Sequence, residues 1–265
     1  MSWLELLALF GAGAAAGLIN TVVGSGTLIT FPTLLALGVP PVVANVSNTV
    51  GLAPGSLSGA LAMRAELAGQ SSRILRLGSA SFIGGIAGAV LLLALPSAAF
   101  DAIVPILIGI ACVLVVVQPV LSRRLAAGRE RLGADPPASH GSVVLWLAVL
   151  LTGVYGGYFG AAQGVLLLAV MGIGLSESLP RINAVKNVLA LIVNGIAAVI
   201  FVVLPLTPWA TPGARINWPA ALTIAVGSIL GAQVGGRVGR RLPPVLYRVV
   251  IVCVGVAAII SLLLK

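Results

Sequence analysis

Gly17-Leu18-Ile19-Asn20-Thr21-Val22-Val23-Gly24-Ser25-Gly26-Thr27 lies in the middle of an apolar run covering about residues 3–38. A helix crosses hydrocarbon in about 20 residues, so this run is too long for one simple span. The glycines and small polar residues at Gly24, Ser25, Gly26 and Thr27 mark where it is interrupted. We read a helix, a break, and a shorter second helix near 27–37, of the length expected for a re-entrant segment. A second run of the same kind covers about 142–175. It is interrupted from Gly156-Gly157 through Gly160-Ala161-Ala162-Gln163-Gly164.

Outward from these two runs the whole chain reads as membrane protein. Of its 265 residues 59% are hydrophobic and only 8% charged, and mean hydropathy is +1.16. A soluble chain would need roughly three times that charge to cover its surface. Six further apolar stretches fall near 41–63, 74–95, 100–121, 181–205, 217–236 and 244–264. The expected fold class is therefore an all-α integral membrane protein with about eight apolar stretches, the first and fifth broken or re-entrant. The net charge of +9 does not indicate nucleic acid. The arginines form short clusters between apolar runs (Arg64, Arg73, Arg76; Arg123, Arg124, Arg129, Arg131; Arg237, Arg240, Arg241), as in cytoplasmic loops under the positive-inside bias. Trp3, Trp146, Trp209 and Trp218 lie near stretch ends, where an interfacial belt would put them. The start of the chain lacks a basic signal-peptide region, so the first stretch is expected to be retained.

The two halves are related. Gly17, Gly24, Gly38 and Gly59 match Gly153, Gly160, Gly174 and Gly195, every pair 136 residues apart. Gly84 and Gly88 match Gly227 and Gly231 at an offset of 143. This organisation predicts a first transmembrane repeat over 1–121, a polar, basic linker loop over 122–141 containing Pro136 and Pro137, and a second repeat over 142–265. Equivalent loops differ in charge. The loop after the second stretch is basic and the next carries only Asp101; in the second half that order reverses. Such a pattern is the signature of an inverted repeat, common in secondary transporters. It places both chain ends outside the cell. Gly227, Gly231 and Gly235, at four-residue spacing, read as a helix-packing ridge.

Chemistry is expected at the breaks. Hydrocarbon cannot satisfy a free backbone group, so non-helical backbone at membrane depth must be buried in protein or line a water-filled cavity. Half-helix N-termini present positive dipole ends and free N–H groups that suit an anion. The alternative is that the glycines only permit tight packing. Polar residues gather after each break: Asn45, Ser47, Asn48 and Thr49 in one half, Asn183, Lys186, Asn187 and Asn194 in the other. Asn183, Asn187 and Asn194 share one helical face. Lys186 stands among apolar residues, and two readings are open: it faces the bundle interior, or it snorkels to the interface. The six acidic residues (Glu5, Glu66, Asp101, Glu130, Asp135, Glu177) all fall in loops or at stretch edges. That disfavours proton or cation relays built on carboxylates. Cys112 and Cys253 read as packing residues, and the lone His140 has no partners for a metal. No cofactor and no metal are expected. Nothing resembling a nucleophile with its acid/base pair lies at membrane depth, so an enzyme is not expected either.

The run from Gly17 to Pro32, followed by Leu37-Gly38-Val39-Pro40-Pro41 and Ala44-Asn45-Val46-Ser47-Asn48-Thr49, resembles the sulfite exporter TauE/SafE family. Gly153 to Gly164, with Asn183-Ala184-Val185-Lys186-Asn187 and Asn194, looks like that family's second repeat. This chain departs from the glycine-richer first motif in having Ser25 and Thr27. The resemblance implies a multi-pass permease of the bacterial inner membrane, exporting or exchanging a small sulfur-containing anion such as sulfite or a sulfonate. The expected partners are that anion and the lipid bilayer; a homo-oligomer is compatible with the pattern. The candidate substrate-binding residues are Lys186, Asn48, Thr49, Asn183, Asn187 and Asn194, with Gly24, Ser25, Gly26, Gly160, Gln163 and Gly164 at the breaks. A membrane scaffold or assembly factor, its polar residues only binding helices together, is the alternative.

Overall fold

A computed structural model describes residues 1–132, 142–204, 215–238 and 244–263. All regular elements among them are helical. In chain order they are α1 (Trp3–Val22), α2 (Thr27–Ala36), α3 (Pro41–Ala62), a short 3-10 turn (Arg64–Leu67), α4 (Ser71–Ala94), α5 (Ser97–Leu132), α6 (Val143–Tyr158), α7 (Gln163–Gly174), α8 (Leu179–Val203), α9 (Trp218–Val238) and α10 (Pro244–Leu263). Pro136, Pro137, His140, Trp209, Arg240, Arg241 and Asp135 lie outside the described residues.

The local sequence accounts for the boundaries. A capping box starts α1: Ser2 N–H donates to Glu5 Oε2 at 2.7 Å and Glu5 N–H to Ser2 Oγ at 3.3 Å, filling two of the donors a helix start leaves open. The first long run breaks at Gly24, whose φ of +89° is a left-handed conformation that side chains resist. The second breaks at Gly160, φ +76°, and α7 then starts from Ala162 at φ 58°. Prolines enter at the first turns of α3 and α8, where a missing N–H costs nothing. The second pieces are short, 10 residues in α2 and 12 in α7. At 1.5 Å per residue they reach about 15 and 18 Å, roughly half of a hydrocarbon core.

Among the described residues five helices are long and apolar enough to cross a membrane: Trp3–Val22, Ser71–Ala94, Ser97–Val120, Leu179–Val203 and Trp218–Arg237. α3 has the length but not the apolarity. Asn45, Ser47, Asn48, Thr49, Ser56 and Ser58 lower it, and all six are buried. Its neighbours α8 and α9, with α2 and the end of α6, cover these polar groups in place of lipid. Where a loop was expected from Ser122, the chain is still helical. α5 runs on to Leu132, because its continuation is rich in Leu, Ala, Arg and Glu, good helix formers. The rest of the expected linker, 133–141, lies outside the described residues.

Two glycine seams bring backbones into direct contact. On the first, between α1 and α9, a Cβ at Gly231 would lie 1.9 Å from Ala14 O, and one at Gly17 would lie 2.1 Å from Ser228 O. On the second, between α4 and α6, a Cβ at Gly88 would lie 2.1 Å from Val154 O, and one at Gly84 would lie 2.3 Å from Leu150 O. Lipid gives helices little hydrophobic reason to associate, so close approach through small residues supplies the packing. These seams hold α1 and α6, the helices that lead into the breaks.

Candidate functional site

The site grows from the end of α1. Val23 and Gly24 N–H groups both donate to Ile19 O, at 2.7 and 3.1 Å. The carbonyls of Asn20 and Thr21 then point past the helix end without the usual continuation. α8 supplies their partners. Lys186 Nζ donates to Asn20 O at 2.8 Å and to Thr21 O at 3.2 Å. Asn183 Nδ2 and Asn187 Nδ2 each reach Thr21 O at 3.2 Å. Positions 183, 186 and 187 share a helical face, which is why one turn of α8 can deliver all three. Lys186 is 0% exposed, so the snorkelling alternative does not hold. No carboxylate among the described residues pairs with it. The negative end of the α1 dipole faces it instead, an arrangement favourable to a cation.

Across the fold the two breaks touch. Gly164 N–H donates to Gly24 O at 3.0 Å. A Cβ at Gly24 would lie 2.3 Å from Gly164 Cα, and one at Gly164 would lie 2.4 Å from Gly24 Cα. Nothing larger than hydrogen fits on either side. The half-helices α2 and α7 begin here, and neither has a side-chain cap at its N-terminus. Gly26 packs on the Ala16 carbonyl.

Around this crossing the remaining polar residues hold the ends in place. Asn48 Nδ2 donates to Thr27 Oγ1 at 3.3 Å, and Thr30 Oγ1 donates to Asn48 Oδ1, so α3 grips the first turn of α2. Asn45 Nδ2 donates to Tyr158 O at 2.9 Å, at the end of α6. Tyr155 OH bridges the second break to Ala161 O at 2.6 Å. Gln163, 3% exposed, packs its amide against Gly156. Ser25 Oγ, Gln163 Nε2 and Asn183 Oδ1 are buried and have no hydrogen-bond partner among the described residues.

The candidate residues thus fall into groups. Lys186, Asn183 and Asn187 converge on α1. Gly24, Ser25, Gly26, Gly160, Gln163 and Gly164 form the crossing, with Asn48 and the buried Thr49 beside it on α3. Asn194 lies apart, about 10 Å further along α8 than Asn187, and donates to Ser56 Oγ at 3.0 Å. Sequence reasoning missed Met63, Thr30 and Ser56. Thr30 sits three residues after Thr27, on the same helical face, and that spacing could have found it. Nothing in the pattern singles out Met63, whose Sδ accepts from Asn183 Nδ2 at 3.3 Å and Asn187 Nδ2 at 3.0 Å.

A clasp closes one end of this region. Glu177, between α7 and α8, pairs with Arg73 of α4 at 3.2 Å and with Arg181 at 2.8 Å. Gln70 Nε2 donates to Arg181 O at 3.2 Å, and Arg73 also donates to Gln70 Oε1. Burial works against the Glu177 charge, yet hydrogen bonds from Arg181 and Arg73 outweigh it and hold the carboxyl below its ordinary value. The clasp therefore contributes its full stability above the pH at which an unfolded glutamate ionises. That contribution fades as pH falls through the lowered folded value. Glu177→Gln should lower the melting temperature at neutral pH, and the gap to the parent should close in strong acid. Parallel melting curves of the two proteins across that range check this.

Helices of this length and apolarity, two of them broken around a buried polar crossing, define a multi-pass helical membrane protein. The match to the model of the family "Sulfite exporter TauE/SafE" spans residues 9–262. The chain belongs to that family and is a membrane transporter in class. It is 27% identical over 237 residues to a Haemophilus influenzae protein named "Probable membrane transporter protein", covering 88% of this chain and 85% of the relative. It is 26% identical over 245 residues to "Probable membrane transporter protein YfcA" of Escherichia coli K12, covering 89% and 81%. With "Probable membrane transporter protein ORF9" of a Sinorhizobium species it shares 26% identity over 263 residues, covering 96% and 91%.

Proposed function

We propose that this protein is a permease that exports or exchanges a small sulfur-containing anion, sulfite or a sulfonate, across the bacterial inner membrane. It works by alternating access between two inverted halves, 1–121 and 142–265, joined through 122–141. The observation that carries this reading is the buried polar centre. Two half-helix N-termini without side-chain caps lie at the Gly24–Gly164 contact, their first-turn N–H groups turned to backbone carbonyls, and the fully buried Lys186 has no carboxylate partner among the described residues. The two N-termini stand there against the C-terminal ends of α1 and α6, and Lys186 tips the balance positive. An anion completes such a centre; a cation would be repelled.

One further fact supports the inverted relation of the halves. The seam pairing α1 with α9 has a counterpart in that pairing α6 with α4, as the 136 and 143 offsets require of exchanged partners. The clasp of Gln70 and Arg73 with Glu177 and Arg181 adds a polar tie between the halves at one end. Loop charge puts that end on the cytoplasmic side. Substrate binding involves Lys186, Asn183 and Asn187, with Asn48, Thr49, Gln163, Ser25 and the break glycines Gly24, Gly26, Gly160 and Gly164 shaping the crossing; Asn194 lines the route. Export needs no coupling ion, because ejecting one negative charge gains about 2.3 kcal/mol per 100 mV, inside negative.

A stability screen of the purified protein tests the ligand class. A ligand that binds only the folded state at a hundred times its Kd adds about 2.7 kcal/mol. At least one of sulfite, thiosulfate, sulfate and short sulfonates should raise the melting temperature, and cations matched for ionic strength should not. No shift with any anion would leave the scaffold reading in possession.

A further inference from the structure

The donors on α8 are over-supplied with hydrogens and under-supplied with acceptors. Thr21 O faces three donors, Lys186 Nζ, Asn183 Nδ2 and Asn187 Nδ2, each at 3.2 Å. A carbonyl oxygen offers two lone pairs, so at least one of the three is weakly held. The other partner of both amides is the Met63 thioether, at 3.3 and 3.0 Å. A thioether is among the weakest acceptors a protein has. Asn183 also carries the opposite imbalance: its Oδ1 is buried and accepts from nothing among the described residues. Flipping that amide does not help, because it would set Oδ1 against the Thr21 carbonyl.

We infer that Asn183, Asn187 and Lys186 form an anion subsite in which the Met63 thioether holds the ligand's place, and that the ligand is a monovalent oxyanion carrying a hydrogen-bond donor of its own. The inference rests on the permease reading and gives it a ligand chemistry. The ligand's oxygens replace sulfur as the acceptor for the two amides and the ammonium. Its hydroxyl, or an equivalent donor, fills Asn183 Oδ1. Met63 is suited to be displaced: it is the residue where α3 ends, its side chain is unbranched with three rotatable bonds, and it is only 6% exposed while in place. From it the chain runs through the 3-10 turn directly to Gln70 and Arg73 of the clasp, so withdrawing Met63 and opening the clasp involve one short segment.

The test compares 2-hydroxyethanesulfonate with ethanesulfonate, equal in charge and nearly equal in size, as ligands of the detergent-purified full chain in thermal-shift titrations. The parent should bind the hydroxylated anion about fivefold more tightly, the worth of one hydrogen bond to an otherwise unsatisfied acceptor. Met63→Leu keeps the volume and removes the competing acceptor, and should tighten both anions about threefold. Met63→Gln supplies a strong amide oxygen and should weaken both about tenfold. Equal affinity for the two sulfonates, or no tightening in Met63→Leu, overturns the inference. If sulfate or thiosulfate, dianions without a donor, stabilises the protein and neither sulfonate does, the ligand chemistry inferred here is wrong while the permease reading stands. If no anion acts at all, both fall. Should Met63→Gln fail to fold, the direction of the Met63→Leu effect alone decides.

Discussion

Gly24→Ala should all but abolish recovery of folded protein. Its φ of +89° already costs an alanine about 1 kcal/mol or more. The larger penalty is steric, because the new methyl would stand 2.3 Å from Gly164 Cα, on backbone that cannot rotate away. Separating the two breaks also sacrifices the hydrogen bond from Gly164 N–H to Gly24 O, formed between two buried residues, where an unmade bond is costly. Together these come to several kcal/mol, a large part of the ~5–15 kcal/mol by which a typical domain is stable. Two other glycines isolate the cause. Gly38 has nearly the same φ, +78°, but nothing lies within 4 Å of its Cβ position; Gly195 is helical and equally open. Monodisperse yield on size exclusion should fall in the order Gly195→Ala, Gly38→Ala, Gly24→Ala, with only the last near zero. A Gly24→Ala protein as well behaved as Gly38→Ala would mean that the two breaks do not touch.

Lys186→Met should leave a folded protein and cut anion flux on the order of a hundredfold, equivalent to about 2.7 kcal/mol of barrier. Methionine matches the length of the lysine stem. Removing a buried charge also removes the cost of keeping it out of water. The Thr21 carbonyl keeps its two asparagine donors; the Asn20 carbonyl loses the one at 2.8 Å. Transport has no such reserve, because Lys186 is the cation at the meeting point of α1 and α8. Folding is read by melting temperature and flux by proteoliposome assay, so the two effects separate cleanly. Parent-level flux in a folded Lys186→Met protein would reduce the lysine to a cap on α1.

Much of this architecture is legible in the sequence because lipid imposes few solutions. An over-long apolar run with Gly24-Ser25-Gly26 inside it has to break, and the chain does turn there, between α1 and α2. The lysine on the face of Asn183 and Asn187 stands between two readings in the sequence, interior or interface, and its full burial decides for the interior. The unread parts depend on long-range geometry. No periodicity reveals that Gly24 rests on Gly164, 140 positions away, or that Met63 reaches the two asparagines. Nor does the lysine's sequence context reveal that its partners are backbone carbonyls, since these are unlocked only by the broken helix end. Local polarity misled in one place. The arginine-rich continuation of α5 reads as a loop by charge but is helical to Leu132, because charge marks the exit from lipid and not the end of a helix.

The central claim is that the buried crossing carries anions, and efflux of labelled sulfite from proteoliposomes tests it most directly. With the reconstituted protein and an imposed inside-negative potential, efflux should exceed that of protein-free vesicles and should slow when the potential is reversed. Efflux no faster than from the empty vesicles, with folded protein present in both orientations, would contradict the account.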